Sequence, residues 1–152
     1  MHELKILLER LIWRFRKPEF KEYKISYTDL HDKLKEMGFS VPLGMLDRWY
    51  YYTDLEGWAE VLHNLVFGSA LYEYDRFDCS NYALKAMNEC AERYGLNTLA
   101  TVIGHTPQGR HGFNMLYYGD GFMLWEPNAG YDWSGQPFDI GDNGYIPDDI
   151  LI

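Results

Sequence analysis

Leu4, Leu7, Leu8, Leu11 and Ile12 recur at helical spacing with charges between them, and Pro18 stops the pattern. This predicts a first helix with those five residues as its apolar stripe. Thr28 or Asp29 caps a second helix that runs to Met37 and ends at Gly38, with Leu30, Leu34 and Met37 on one side. Residues 55–66 read as a third helix whose inner face holds Trp58, Val61, Leu62 and Leu65. The fourth, 78–94, has Asp78 as its N-cap, Gly95 at its end, and Tyr82, Ala83, Ala86, Met87, Cys90 and Ala91 on one face. Strands then follow at 98–103, 111–118 and 122–126, separated by a Pro-Gln-Gly loop and by Gly-Asp-Gly. The segment from Asn128 to Asp149 is rich in Gly, Pro and Asp and reads as irregular.

Helices followed by an antiparallel meander make an α+β pattern. The length of 152 residues suits one domain with a real core. Within it we distinguish a helical front end at 1–45, a core at 46–130 and an irregular acidic tail at 131–152. No apolar run reaches the roughly 20 residues that a transmembrane helix needs, and the charged N-terminus has no signal-peptide pattern. The expected location is cytoplasmic, with no membrane partner.

The net charge is −9. Residues 1–36 hold nine Lys or Arg against seven Asp or Glu, the remainder five against sixteen, and none of the cations lies after Arg110. So acidic a body disfavours nucleic acid and suits a neutral substrate, a cationic peptide or a divalent cation. Arg14, Arg16, Lys17, Lys21 and Lys24 favour a helix C-terminus and also make the front end a candidate adaptor to a larger assembly. Aromatics are 17% of the chain and concentrate around residues 47–58, where rings fill a core or line a cleft.

Two cysteines without a secretory signal argue against a disulfide framework. Cys79 falls in the first turn of its helix, where unpaired N–H groups and the macrodipole stabilise a thiolate, while Asp78 beside it acts in the opposite direction. Cys90, eleven residues on, stands roughly 16 Å away on the apolar stripe and reads as core. A thiolate needs a base that can return its proton, and His111 beside the small Gly112 is the candidate. With a turn centred on Gly119 and Asp120, Phe113 faces Glu126 and His111 is its diagonal neighbour on the same face, so Glu126 can orient the imidazole. A three-residue turn would put His111 and Glu126 on opposite faces. His105 is the rival histidine; His2, His31 and His63 have ordinary explanations in the helical part.

Three motifs in order, Phe-Asp-Cys-Ser-Asn-Tyr-Ala (77–83), His-Gly-Phe-Asn (111–114) and Leu-Trp-Glu-Pro-Asn (124–128), resemble the papain-like cysteine peptidase module of a Marasmius agglutinin and related phage proteins. More distantly the order resembles the transglutaminase-like superfamily. The likeness covers roughly 45–130 and implies a papain-like fold with Cys79, His111 and Glu126 as nucleophile, base and orienting acid. That family holds a divalent cation such as calcium beside the cysteine and the acid, where this chain has the neutral Asn81 and Asn128, so no cofactor is required and any cation would be held weakly. The Gln that papain-like enzymes carry before the cysteine is absent, leaving the Cys79 N–H with Tyr72, Tyr74 or Trp58 as oxyanion donors, and Asn114 as a further substrate contact.

The resulting expectation is a cysteine-dependent acyl-transfer enzyme, a peptidase or isopeptidase acting on a peptide or protein. The alternative is a catalytically inactive module, phage structural or accessory proteins included, that binds a peptide, glycan or protein in the same cleft.

Overall fold

The helix that carries the cysteine is fixed by its first turn. Asp78 accepts from the Ser80 N–H at 3.1 Å, and the Asn81 side-chain oxygen takes the Asp78 N–H at 3.1 Å. This reciprocal cap starts α4 (Cys79–Tyr94) at the cysteine itself, and Gly95 ends it. The computed structural model describes residues 1–16, 18–40 and 47–152, apart from the side chains of Trp13 and Arg14. The boundary expected at 45/46 and the cation Lys17 lie outside the described residues.

The chain forms one small α+β domain. Its sheet has the order β5–β4–β3–β6, all antiparallel, from β3 (Leu99–Thr106), β4 (Gly109–Tyr117), β5 (Phe122–Trp125) and β6 (Ile146–Leu151). Asn114 pairs with Trp125 and Tyr117 with Phe122. The turn between them closes through Tyr118 N–H to the Gly121 oxygen at 3.1 Å, with Gly119 at φ +105°, a conformation that suits glycine. This is the two-residue register, so Phe113 is opposite Glu126. The tail is not irregular throughout: after a 3-10 turn (Asp142–Gly144), Ile146–Leu151 adds an edge strand to β3. Its Gly, Pro and Asp content hid a strand whose backbone pairing comes from tertiary contact.

Alternation along β4 divides the interior into two layers. On one face Leu116, with Leu99 and Trp125, packs under α4 residues Tyr82, Ala86 and Cys90 and under Trp58, Val61 and Leu62 of α3 (Leu55–Leu62). On the other, Phe113, Met115 and Tyr117 meet Leu30 and Leu34 of α2 (Tyr27–Glu36), with Phe138 and Tyr145 from the tail. Ser26 caps α2 by accepting from the Asp29 N–H, two residues before the expected Thr28 and three before Asp29. Met37 is exposed. In the front end β1 (Tyr23–Ser26) is a strand, paired antiparallel with β2 (Trp49–Tyr52) from the segment expected as core, so the front end is not purely helical.

Helix α1 (His2–Arg14) is turned inside out relative to its sequence pattern. Leu4, Leu8, Leu11 and Ile12 are each more than half exposed, and the docked side is Ile6 with half-buried Leu7 and polar anchors. Glu3 accepts from the N–H and hydroxyl of Ser69 at 2.6 and 2.7 Å, His2 meets the Tyr131 carbonyl at 3.0 Å, and the Arg10 guanidinium lies 4.8 Å from the centre of the Phe67 ring. Charged and hydrogen-bonded groups hold the helix where periodicity predicted leucines. Among the described residues no helix is long and apolar enough to cross a membrane.

Candidate functional site

Strand β4 runs against the head of α4 because residue 112 is a glycine. A Cβ there would stand 2.7 Å from the Ser80 Cα and 3.0 Å from the Cys79 carbonyl carbon. The approach brings the Gly112 N–H and the His111 side chain to the Cys79 thiol, which is hydrogen-bonded to both. His111 Nε2 meets Glu126 Oε2 at 2.7 Å. The structure thus brings Cys79, His111 and Glu126 into one chain of hydrogen bonds. His111 is 7% exposed and Glu126 not at all, whereas Cys79 is part-exposed.

Electrostatics follow from these contacts. Burial opposes a charged imidazole, but the hydrogen bonds to Cys79 and Glu126 and their negative charge outweigh it and raise His111 to about 9. Burial likewise opposes a thiolate and Asp78 adds to that, yet the His111 and Gly112 contacts bring Cys79 below the ordinary thiol value. Both shifts favour a proton on the ring over one on the sulfur. Cys90, fully buried, has its thiol pushed up by burial alone.

Glu126 is a buried carboxylate with three donors. Oε1 accepts the Asn128 N–H at 2.9 Å, and Oε2 accepts from His111 and from the Tyr145 hydroxyl at 2.9 Å. Tyr145, Tyr131 and Trp133 come from the tail. The Tyr131 ring centre is 5.3 Å from that of His111, and its hydroxyl is raised to about 12 by burial and by the charges of Glu126 and Cys79. These three aromatics were missed in the sequence, where the available signal was large rings set in an otherwise polar, glycine-rich segment.

Other expected residues fall elsewhere. Trp58 is wholly buried and donates to the Tyr117 carbonyl at 2.9 Å, so it is core and not an oxyanion donor. Asn114 is also buried; its amide donates to the Ala83 and Ala100 carbonyls, both at 3.0 Å, and pins α4 to the sheet. Asn81 and Asn128 give their side-chain oxygens to the Asp78 and Gly130 N–H groups. Among the described residues no three His, Cys, Asp or Glu side chains cluster as metal ligands. Tyr72 and Tyr74 are 44% and 76% exposed; Tyr72 is raised by burial and then by Cys79 and Asp78, which puts it at the rim of the site. His105 pairs with Asp148 at 3.0 Å on the sheet edge.

No family model and no curated protein sequence matches the chain. Among solved structures it is similar to a PSL1a–E64 complex, with a TM-score of 0.64 at 16% identity, over 85% of this chain and 51% of that one. It is also similar to Polyporus squamosus lectin bound to the human-type influenza-binding epitope Neu5Aca2-6Galb1-4GlcNAc, with a TM-score of 0.62 at 14% identity, over 85% and 49%. At these identities the likeness is one of fold, and the chain spans about half the length of each neighbour. One of the two is a lectin bound to a glycan. This corrects the expected kinship with the papain-like peptidase module and the expectation of a cysteine peptidase or isopeptidase. Three short motifs in order fixed local geometry around Cys79 without fixing a family or a reaction.

Proposed function

We propose that the chain is a binding module whose surface at the head of α4 takes a neutral glycan. The observation that carries this reading is an aromatic lip, exposed Tyr72 and Tyr74 with half-buried Tyr131, around the part-exposed Cys79 and above the buried His111. Rings of this kind offer an apolar face to a sugar and a hydroxyl to its polar groups. The fold shared with a lectin that holds a glycan supports the reading. Charge narrows the ligand: Asp75 and Asp78 lie close enough to raise the Tyr72 hydroxyl, so the lip is acidic and disfavours an anionic sugar.

The test is binding to immobilised Galb1-4GlcNAc and to its sialylated form. The neutral glycan is expected to retain the protein better, Tyr72→Ala and Tyr131→Ala to weaken retention about tenfold, the loss of one good aromatic contact, and Cys79→Ala to leave it unchanged. Absence of saturable binding to any glycan on a broad array overturns the proposal.

A further inference from the structure

The segment after residue 130 supplies a hydroxyl to the one buried carboxylate that touches His111. The Tyr145 ring is fixed on every side that has a neighbour. Its centre lies 4.9 Å from Phe113, 5.2 Å from Phe138, 5.7 Å from His111 and 5.9 Å from Trp133, all edge-on. The side chain is fully buried, and its hydroxyl ends 2.9 Å from Glu126 Oε2, the same oxygen that takes His111 Nε2 at 2.7 Å.

The chemistry leaves one direction for that bond. A carboxylate oxygen accepts and the phenol donates, because burial and the neighbouring Glu126 charge hold the Tyr145 hydroxyl protonated well above the ordinary tyrosine range. With the Asn128 N–H on Oε1, the carboxylate is held at both oxygens and cannot turn about its last bond without breaking a charge-assisted hydrogen bond. We infer that Tyr145 is a positioning residue: it clamps Glu126 so that Glu126 holds the His111 ring in line with the Cys79 sulfur. The inference rests on Cys79, His111 and Glu126 acting as one unit, and it is independent of what that surface binds. It also gives the tail a role. The 3-10 turn at Asp142–Gly144 and the pairing of β6 with β3 are what place residue 145 under the carboxylate.

The experiment is the pH profile of iodoacetamide alkylation at Cys79, resolved from Cys90 by mass spectrometry, in four full-length proteins. The wild type should keep a reactive limb below the ordinary thiol value, and His111→Ala should lose it. Tyr145→Phe keeps the ring and removes only the hydroxyl. Its limb should move toward the ordinary thiol value, with the rate at pH 6 down about tenfold, the scale of one charge-assisted hydrogen bond. Phe138→Leu disturbs the same packing and leaves the hydroxyl, so it should lower the melting temperature without moving the limb.

A Tyr145→Phe profile superimposed on the wild type, beside a shifted His111→Ala profile, overturns the clamp and leaves the Cys79–His111 pair standing. An ordinary wild-type profile removes the pair and the clamp with it. Should Tyr145→Phe fail to fold, the wild type still decides: the shielded Tyr145 hydroxyl proton must shift in NMR spectra as His111 titrates, and a resonance that ignores that titration overturns the clamp.

Discussion

Gly112 and Ser80 are in backbone contact, strand against helix, at a distance that leaves no room for a side chain on residue 112. The obstacle to a methyl group there is main chain at the capped end of α4, which cannot swing aside as a flexible side chain would. Gly112→Ala should therefore cost about 1–3 kcal/mol, the range for overpacking a fitted interior. It should also widen the gap between His111 and Cys79. Urea unfolding gives the first quantity and Cys79 alkylation the second, and a variant with wild-type stability would show that the strand can retreat freely.

The two cysteines should separate by reactivity without any assay of function. Cys79 is part-exposed and lowered by His111 and Gly112, whereas Cys90 is fully buried in the core and raised by burial. Below the ordinary thiol value of about 8.5, iodoacetamide is expected to label Cys79 alone in the folded protein, and both only after unfolding. Equal labelling of the two in the native state would contradict the burial that sets them apart.

What the sequence disclosed follows from which interactions are local. Asp78, Gly95 and the stripe through Tyr82, Ala86 and Cys90 define α4 within one helix, so its limits and its cysteine were readable. The Gly119–Asp120 turn fixed the β4–β5 register, and with it the meeting of His111 and Glu126. Partners distant in the chain stayed hidden. Tyr145 reaches Glu126 across 19 positions through a strand without an alternating pattern, and the four-residue strands β1 and β2 stabilise one another and have no period of their own. Trp58 and Asn114 were misplaced because residue type does not reveal that one spends its N–H on Tyr117 and the other its amide on Ala83 and Ala100.

Stability should vary with pH in a way that reports the pair. His111 is raised from 6.5 to about 9, so its contribution is complete below about 6.5 and drains as pH climbs through 9. Cys79 is lowered, so its contribution is complete above the ordinary thiol value and drains as pH falls through its folded one. Between the folded value of Cys79 and the ordinary thiol value the two trends oppose and flatten the dependence, while above the ordinary thiol value only His111 still drains and stability declines toward pH 9. The double variant Cys79→Ala/His111→Ala should lose the part of this dependence that the pair adds. Melting temperatures from pH 5 to 10 read this directly, and identical curves for the two proteins would show that no ion pair forms.

Helix α1 permits a comparison that separates pattern from placement. Leu8 belongs to the stripe that periodicity picks out, but it is 52% exposed, while Ile6, outside the stripe, is 7% exposed and packed in the main cluster. Leu8→Glu should change stability by no more than about 0.5 kcal/mol, as a surface substitution does. Ile6→Ala should cost about 2–4 kcal/mol, since it opens a cavity against Val66 and its neighbours. Glu3→Gln belongs to the same test: it keeps an oxygen for the Ser69 N–H but removes the charge that makes that bond strong, so about 1 kcal/mol should be lost. If urea unfolding shows Leu8→Glu to be the damaging change, the helix docks by its leucines, and the polar anchors at Glu3 and Arg10 are not what holds it.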